Sequence, residues 1–201
     1  MGVDQLLQSL GYLGIFVSVF IESGIVIGLV LPLPGFSLLF AAGAFAATGR
    51  LDLALVLTVG FLASVGGYFA GYYSGRVYGR KLFYSPRVKQ LKPEHVTQAE
   101  EFYKRHGYAT LVVGRFVPFV HTIAPIIAGL TRMSLIPFTI LNIVGAAIWT
   151  LTATLLGYYI GQAVPHAEYY IVVVAIVVAI AVNLPPVKKL VDRFSKYLQN
   201  M

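Results

Sequence analysis

The chain has 201 residues, of which 58% are hydrophobic and 11% charged, and its mean hydropathy is +0.79. A soluble domain carries about 25% charged residues, so this composition excludes an ordinary soluble fold and points to several membrane spans in one compact domain. The net charge of +7 sits in segments that flank apolar runs, which is how membrane topology is written, and this discounts nucleic acid as a partner.

Taken in order, residues 5–21 follow Asp4 and carry Gln5, Gln8 and Ser9 early. They predict an N-terminal amphipathic helix that lies on the surface and then dips inward. No basic cluster leads it, so no cleavable signal is expected. Glu22 follows, and from Ser23 to Gly49 there is no charge, yet Pro32, Pro34 and Gly35 interrupt the run. Proline removes an N–H and clashes with the preceding turn, so 22–48 reads as two half-length helices meeting at a break. Asp52 opens an uncharged segment, 53–75, close to the ~20 residues that cross a bilayer. Its Gly67, Gly71 and Gly75 give it a smooth packing face.

Residues 76–106 form the one extended hydrophilic region, with Arg76, Arg80, Lys81, Arg87, Lys89, Lys92, Lys104 and Arg105 against Glu94, Glu100 and Glu101. Pro93 suits the first turn of a short amphipathic helix over about 93–106. The stretch Gly114–Gly129 is the most unusual. It places Arg115, His121 and Thr122 in an apolar run broken by Pro118 and Pro125. An arginine at membrane depth costs roughly 2.5–3.5 kcal/mol even on the lenient insertion scale. Arginine and prolines together make sense in a re-entrant segment that lines a polar cavity. After Arg132, a span is expected over 138–160, with Trp149 as a packing residue, then a last span over 169–187 and a basic tail.

The sequence repeats itself. A shift of 86 residues lays Gly28 on Gly114, Pro32 on Pro118, Ala42-Gly43 on Ala128-Gly129, and Gly71-Tyr72-Tyr73 with Gly75 on Gly157-Tyr158-Tyr159 with Gly161. Each half (22–75 and 107–162) is a broken hairpin followed by a span. The basic 76–106 linker and the basic C-terminal tail should both be cytoplasmic, which inverts one repeat relative to the other. The expected fold is therefore an all-α membrane protein with an inverted repeat of two re-entrant hairpins. Such architectures place a transport site where the broken helices meet, with Pro32, Pro34, Gly35, Pro118, Pro125 and Gly129 as breakers and hinges.

The residues that carry a resemblance are Glu22, Pro34-Gly35 with Ser37-Leu38-Leu39-Phe40-Ala41-Ala42-Gly43, Gly75-Arg76, Phe102-Tyr103, His106-Gly107, and above all Gly114-Arg115-Phe116-Val117-Pro118 with Thr122, Pro125, Ala128 and Gly129. On these the chain resembles the DedA family, the SNARE-associated or VTT-domain membrane proteins, over nearly its whole length. The resemblance implies a cytoplasmic-membrane protein that moves lipids across the bilayer, notably undecaprenyl phosphate or phospholipids, often with dependence on the proton-motive force. Glu22 matches the family's membrane acid and Arg115 its first essential arginine. Phe36 stands where the family commonly has an acid, and His121 where it commonly has a second arginine.

Each candidate has a plainer reading beside the functional one. Arg115 could bridge helix-end carbonyls, or it could hold a headgroup phosphate. Glu22 could form a lock with Arg115 across the two hairpins, or it could carry the coupling proton. His121 could be a satisfied core residue, or it could join Thr122 at the phosphate or relay a proton. No nucleophile triad, metal cluster or Gly-rich phosphate loop is present, so neither enzyme activity nor a cofactor is expected. The leading expectation is a lipid-headgroup flippase or scramblase with membrane lipids as partners. A proton-coupled small-ion transporter of the same architecture is the alternative. A scaffold without transport would leave the buried charges unexplained.

Overall fold

A computed structural model describes residues 3–24, 35–83, 110–117 and 120–164. Pro32, Pro34, Pro118, the 93–106 helix and the 169–187 span lie outside the described residues. Within them the secondary structure is helical: α1 (Val3–Gly24), α2 (Gly35–Ala47), α3 (Leu53–Phe83), α4 (Thr110–Val113), α5 (Val120–Leu130) and α6 (Leu135–Ala163). A 3₁₀ turn, Gly114–Phe116, joins α4 to the extended Val117 that precedes α5.

Among the described residues, two helices, α3 over Leu53–Tyr78 and α6 over Leu135–Ala163, are long and apolar enough to cross a membrane. Both are longer than the uncharged cores that the sequence marks out, because their ends continue as helix through Arg76 at one end and before Phe138 at the other. Their outer faces carry exposed Leu55, Leu62, Ile136, Ile140, Ile143, Ile148 and Leu156. Apolar surface this continuous is rare on soluble monomers and suits lipid.

The glycines decide how the helices meet. A Cβ on Gly157 would run into the Phe40 carbonyl, one on Gly161 into Ala44, and one on Gly43 into the Thr154 carbonyl, so α2 lies parallel to α6 at backbone contact. On the other side Gly129 faces the Tyr72 carbonyl, Gly75 the Ile126 carbonyl, and Gly71 the ring of Pro125, so α5 lies parallel to α3. Close packing of this kind, rather than water expulsion, holds helices together in lipid. Since Leu39 of α2 abuts Gly60 and Asp52 turns the chain straight into α3, α2 and α3 are antiparallel. The long helices α3 and α6 therefore run in opposite senses.

Three expectations change. The N-terminal helix α1 is continuous and packs along α3, with Phe20 against Gly66 and Gly67 and with Gly24 against Gly67 and Gly71. Its start is pinned near the α2–α3 loop, where the Gln8 side chain donates to the Arg50 carbonyl (3.1 Å) and the Asp52 N–H donates to the Tyr12 hydroxyl (2.8 Å). It is thus a helix of the bundle and does not lie apart from it. Pro125 does not break the chain but sits inside α5. The proline falls in the second turn of an eleven-residue helix, forfeits one helical bond, and packs its ring on the side-chain-free Gly71. Gly129 lies inside α5 as well, and its smallness serves the contact with Tyr72.

The 86-residue register also slides. It holds for the half-helices, where Gly43 and Gly129 occupy corresponding seats, but α3 and α6 begin 82 residues apart, at Leu53 and Leu135. The path from Gly129 to α6 is four residues shorter than that from Gly43 to α3, about one helical turn, mostly because α5 ends sooner after its glycine. The first exit turns on Gly49 (φ 75°), and the second on Arg132 (φ 55°), a residue that prefers not to adopt this conformation.

Candidate functional site

The core has two apolar clusters. One gathers Ile15, Val19, Leu39, Ala42, Val56, Ala63, Trp149 and Ala153, and the other Tyr68, Tyr72, Leu111, Ala124, Ala128 and Phe138. Polar side chains are buried among these helices, between the end of α1, the start of α2, the middle of α3, the start of α5 and the middle of α6.

Arg115 is 2% exposed. The 3₁₀ turn delivers it because Gly114 lets Val120 pack close behind. Its Nη1 donates to Ser64 Oγ (2.5 Å), and its Nη2 donates to Asn142 Oδ1 (2.5 Å) and more distantly to the Asn142 carbonyl (3.4 Å). Its guanidinium carbon stacks 3.5 Å from the centre of the Tyr68 ring. Nε has no hydrogen-bond partner. All of these partners are neutral. A cation–π stack contributes about 2 kcal/mol when desolvated, and a hydrogen bond to a charged group about 1.5–3 kcal/mol. They solvate the cation without neutralising it.

Glu22, on the last turn of α1, accepts the first N–H of α2: Gly35 N to Oε2 is 2.5 Å. A Cβ at Gly35 would overlap that carboxylate oxygen, so a larger residue here would push the Glu22 side chain off the N–H. A carboxylate at a helix N-terminus is favoured by the helix dipole. The expected Glu22–Arg115 lock is therefore absent. The acid is held by a helix end and the arginine by Ser64, Asn142 and Tyr68.

His121 is 4% exposed. Its ring stacks on Trp149 (centroids 5.3 Å apart, 18° between planes), its Nδ1 lies 3.5 Å from the Tyr68 hydroxyl, and its Nε2 has no partner. Thr122 does not point its donor at an open anion position. Its hydroxyl donates to the Glu22 main-chain carbonyl (3.2 Å) and so ties α5 to α1. Phe36 meets the same Trp149 edge-on at 6.0 Å. Phe36 and His121 thus converge on one indole.

The structure brings Arg115 and His121 together around Tyr68, and Glu22 and Thr122 together at the start of α2 and α5. Sequence reasoning missed Ser64, Tyr68 and Asn142 and gave Trp149 only a packing role. Asn142 had left a signal, as the one amide between 133 and 161 in an uncharged span. Ser64 and Tyr68 left none, because their importance depends on which helix Arg115 meets.

Residues 33–159 match the VTT domain model. The chain is 39% identical over 153 residues to Protein DedA of Escherichia coli (strain K12), covering 75% of this chain and 68% of that protein. It is 36% identical over 172 residues to an uncharacterized membrane protein of Mycobacterium tuberculosis (strain ATCC 25618 / H37Rv), covering 82% and 72%. It is 30% identical over 158 residues to the inner membrane protein YqjA of Escherichia coli (strain K12), covering 79% and 71%. No solved structure matches. A domain match across more than half the chain, together with these identities, establishes that the chain belongs to the DedA family of VTT-domain membrane proteins.

Proposed function

We propose that the protein moves a lipid with a phosphate headgroup, such as undecaprenyl phosphate or a phospholipid like phosphatidylethanolamine, between the leaflets of the membrane. The observation that carries this reading is Arg115, a cation 2% exposed whose partners are all neutral. A buried charge is costly unless an opposite charge meets it, so the site is suited to an anion from outside the chain.

Access favours a lipid over a free ion. Arg115 is buried, but Val113, Phe116 and Val117 beside it are exposed on the apolar surface. A headgroup can enter there while its acyl or polyprenyl tail stays in lipid. Arg115 holds the phosphate and His121 Nε2 offers a second contact, while Thr122 keeps the start of α5 against α1. Glu22 provides the coupling. Its carboxylate occupies the first N–H of α2, and taking up a proton weakens that contact and frees the half-helix to move.

The opposed senses of α3 and α6, and the reciprocal seats of α2 on α6 and of α5 on α3, support an inverted repeat of two re-entrant hairpins. The transport site then lies where the broken helices meet. The charge bias puts the 76–106 linker and the C-terminal tail in the cytoplasm.

The test is reconstitution into liposomes with labelled polyprenyl phosphate or phosphatidylethanolamine, with and without a pH gradient. Headgroup movement that depends on the protein and is lost in Arg115→Gln is expected. Proton flux with neither lipid moving would overturn it in favour of the proton-coupled small-ion transporter.

A further inference from the structure

Asn142 is buried at 0% exposure in the middle of α6, and both ends of its amide are engaged. Oδ1 accepts from Arg115 Nη2, and Nδ2 donates 3.1 Å to the Val65 carbonyl on α3. Arginine only donates and a carbonyl only accepts, so this orientation of the amide is the one that satisfies both. Ser64, next to Val65, takes Nη1. Through Arg115 and Asn142, α3 and α6 are therefore tied together at mid-length.

The guanidinium has two edges that can grip a phosphate. At the edge made of Nη1 and Nη2, Ser64 Oγ accepts from Nη1, while Nη2, which places one N–H on each edge, donates to Asn142. On the other, made of Nε and Nη2, Nε has no partner and Nη2 is held by Asn142. A phosphate oxygen pair binds such an edge through two parallel hydrogen bonds. Asn142, through Oδ1 and its main-chain oxygen, contends with such a ligand for Nη2. Nε faces Gly145, one turn further along α6, where even a Cβ would come within 2.9 Å of it.

We propose that Asn142 is a placeholder for the anion: its side-chain oxygen holds the place on Arg115 that a phosphate takes, and the exchange loosens α6 from α3. The proposal rests on the anion reading of Arg115 given above and adds what must be displaced. A phosphate monoester or diester on the Nε–Nη2 edge removes Oδ1 from Nη2 and needs α6 to retreat at Gly145. The Nη1–Ser64 bond and the Tyr68 stack can persist throughout. Asn142 is then a positioning residue, which keeps Arg115 ordered when no headgroup is bound and links occupancy of the site to the spacing of the two long helices.

Trp149, the single tryptophan, lies two turns along α6 from Asn142 and stacks on His121, so its fluorescence reports on this region. Detergent-solubilised full-length protein is titrated with farnesyl phosphate and, separately, with inorganic phosphate. A response to farnesyl phosphate alone identifies a lipid ligand, and a response to both identifies phosphate itself. Asn142→Asp has the same shape but gives Arg115 a tethered anion, so affinity should fall by about tenfold or more. Asn142→Ala removes the competitor, so affinity should rise several-fold even as the melting temperature drops. A purely structural Asn142 predicts the reverse for alanine, weaker binding with weaker folding, and an unchanged affinity for a folded aspartate variant. Either of those results overturns the proposal, and if the aspartate variant does not fold, the alanine variant decides alone. Absence of any wild-type response would instead defeat the anion reading of Arg115 itself.

Discussion

The two half-helices, α2 and α5, occupy equivalent seats with opposite charge. Each rests, through a glycine at backbone contact, on the long helix that it does not lead into, Gly43 on the Thr154 carbonyl and Gly129 on the Tyr72 carbonyl. Each begins amid buried polar groups. At α2 the chain supplies an acid, Glu22, directly on the first N–H. At α5 it supplies a cation, Arg115, five residues ahead of the helix, and a histidine in the first turn. The frame and the charges are thus separable: glycine contacts set the geometry, and single side chains assign the roles. The α2 end holds a carboxylate from within, whereas Arg115 ahead of α5 is held by neutral groups, Ser64, Asn142 and Tyr68.

The comparison can be broken most completely at the level of topology. If the repeats are inverted, single cysteines at Ser85 and His166 in this cysteine-free chain should react with a membrane-impermeant label from opposite sides of the membrane, an all-or-none difference. Labelling from one side would end the inverted reading. Next in size, Arg115→Gln should lower headgroup movement by roughly 30-fold or more at any gradient, since truncating one member of a buried charged contact costs about 2–5 kcal/mol. Glu22→Gln should instead abolish the dependence on the gradient while exchange continues. Equal behaviour of the two variants in a liposome assay would erase the proposed division of labour.

The Glu22–Gly35 contact makes a sharper, smaller prediction. Gly35→Ala should destabilise the wild type, because its Cβ overlaps the Glu22 carboxylate, yet it should be tolerated once Glu22→Ala has emptied that space. The coupling in a double-mutant cycle, read by thermal denaturation in detergent, should be about 1–3 kcal/mol, whereas additive effects would mean that the two do not touch. The smallest effect concerns the exits. Arg132→Gly should stabilise the protein by about 1 kcal/mol by relieving a left-handed residue, and Gly49→Ala should destabilise it by a similar amount. If both changes were silent in a melting experiment, the two turns would not constrain their half-helices.

Much of the frame was legible in the sequence. Long uncharged runs fixed the two spans, because lipid tolerates few charges, and the run of glycines at Gly67, Gly71 and Gly75 marked the packing face of α3 before any partner was known. Arg115, His121 and Glu22 stood out as ionisable groups where such groups are expensive. Their partners did not stand out. Hydropathy reports the cost of burying a charge and is silent on what relieves it, so a lock with Glu22 was one expectation for the arginine, whereas Ser64, Tyr68 and Asn142 hold it. Pro125 was misjudged for a related reason, since its local cost is offset by a neighbour, Gly71, that is more than fifty residues away in the chain.

By itself, then, the amino-acid sequence determined the all-helical membrane class, the two long apolar helices and the positions of the ionisable groups within apolar runs, because composition and periodicity act locally along the chain. Only the tertiary structure decided that Glu22 serves the start of α2, that Arg115 is held by α3 and α6, that Phe36 and His121 share Trp149, and that the path from Gly129 to α6 is a turn shorter than that from Gly43 to α3. Those contacts join residues far apart in the chain, and they depend on the register in which glycine faces bring one backbone against another, which no local pattern encodes.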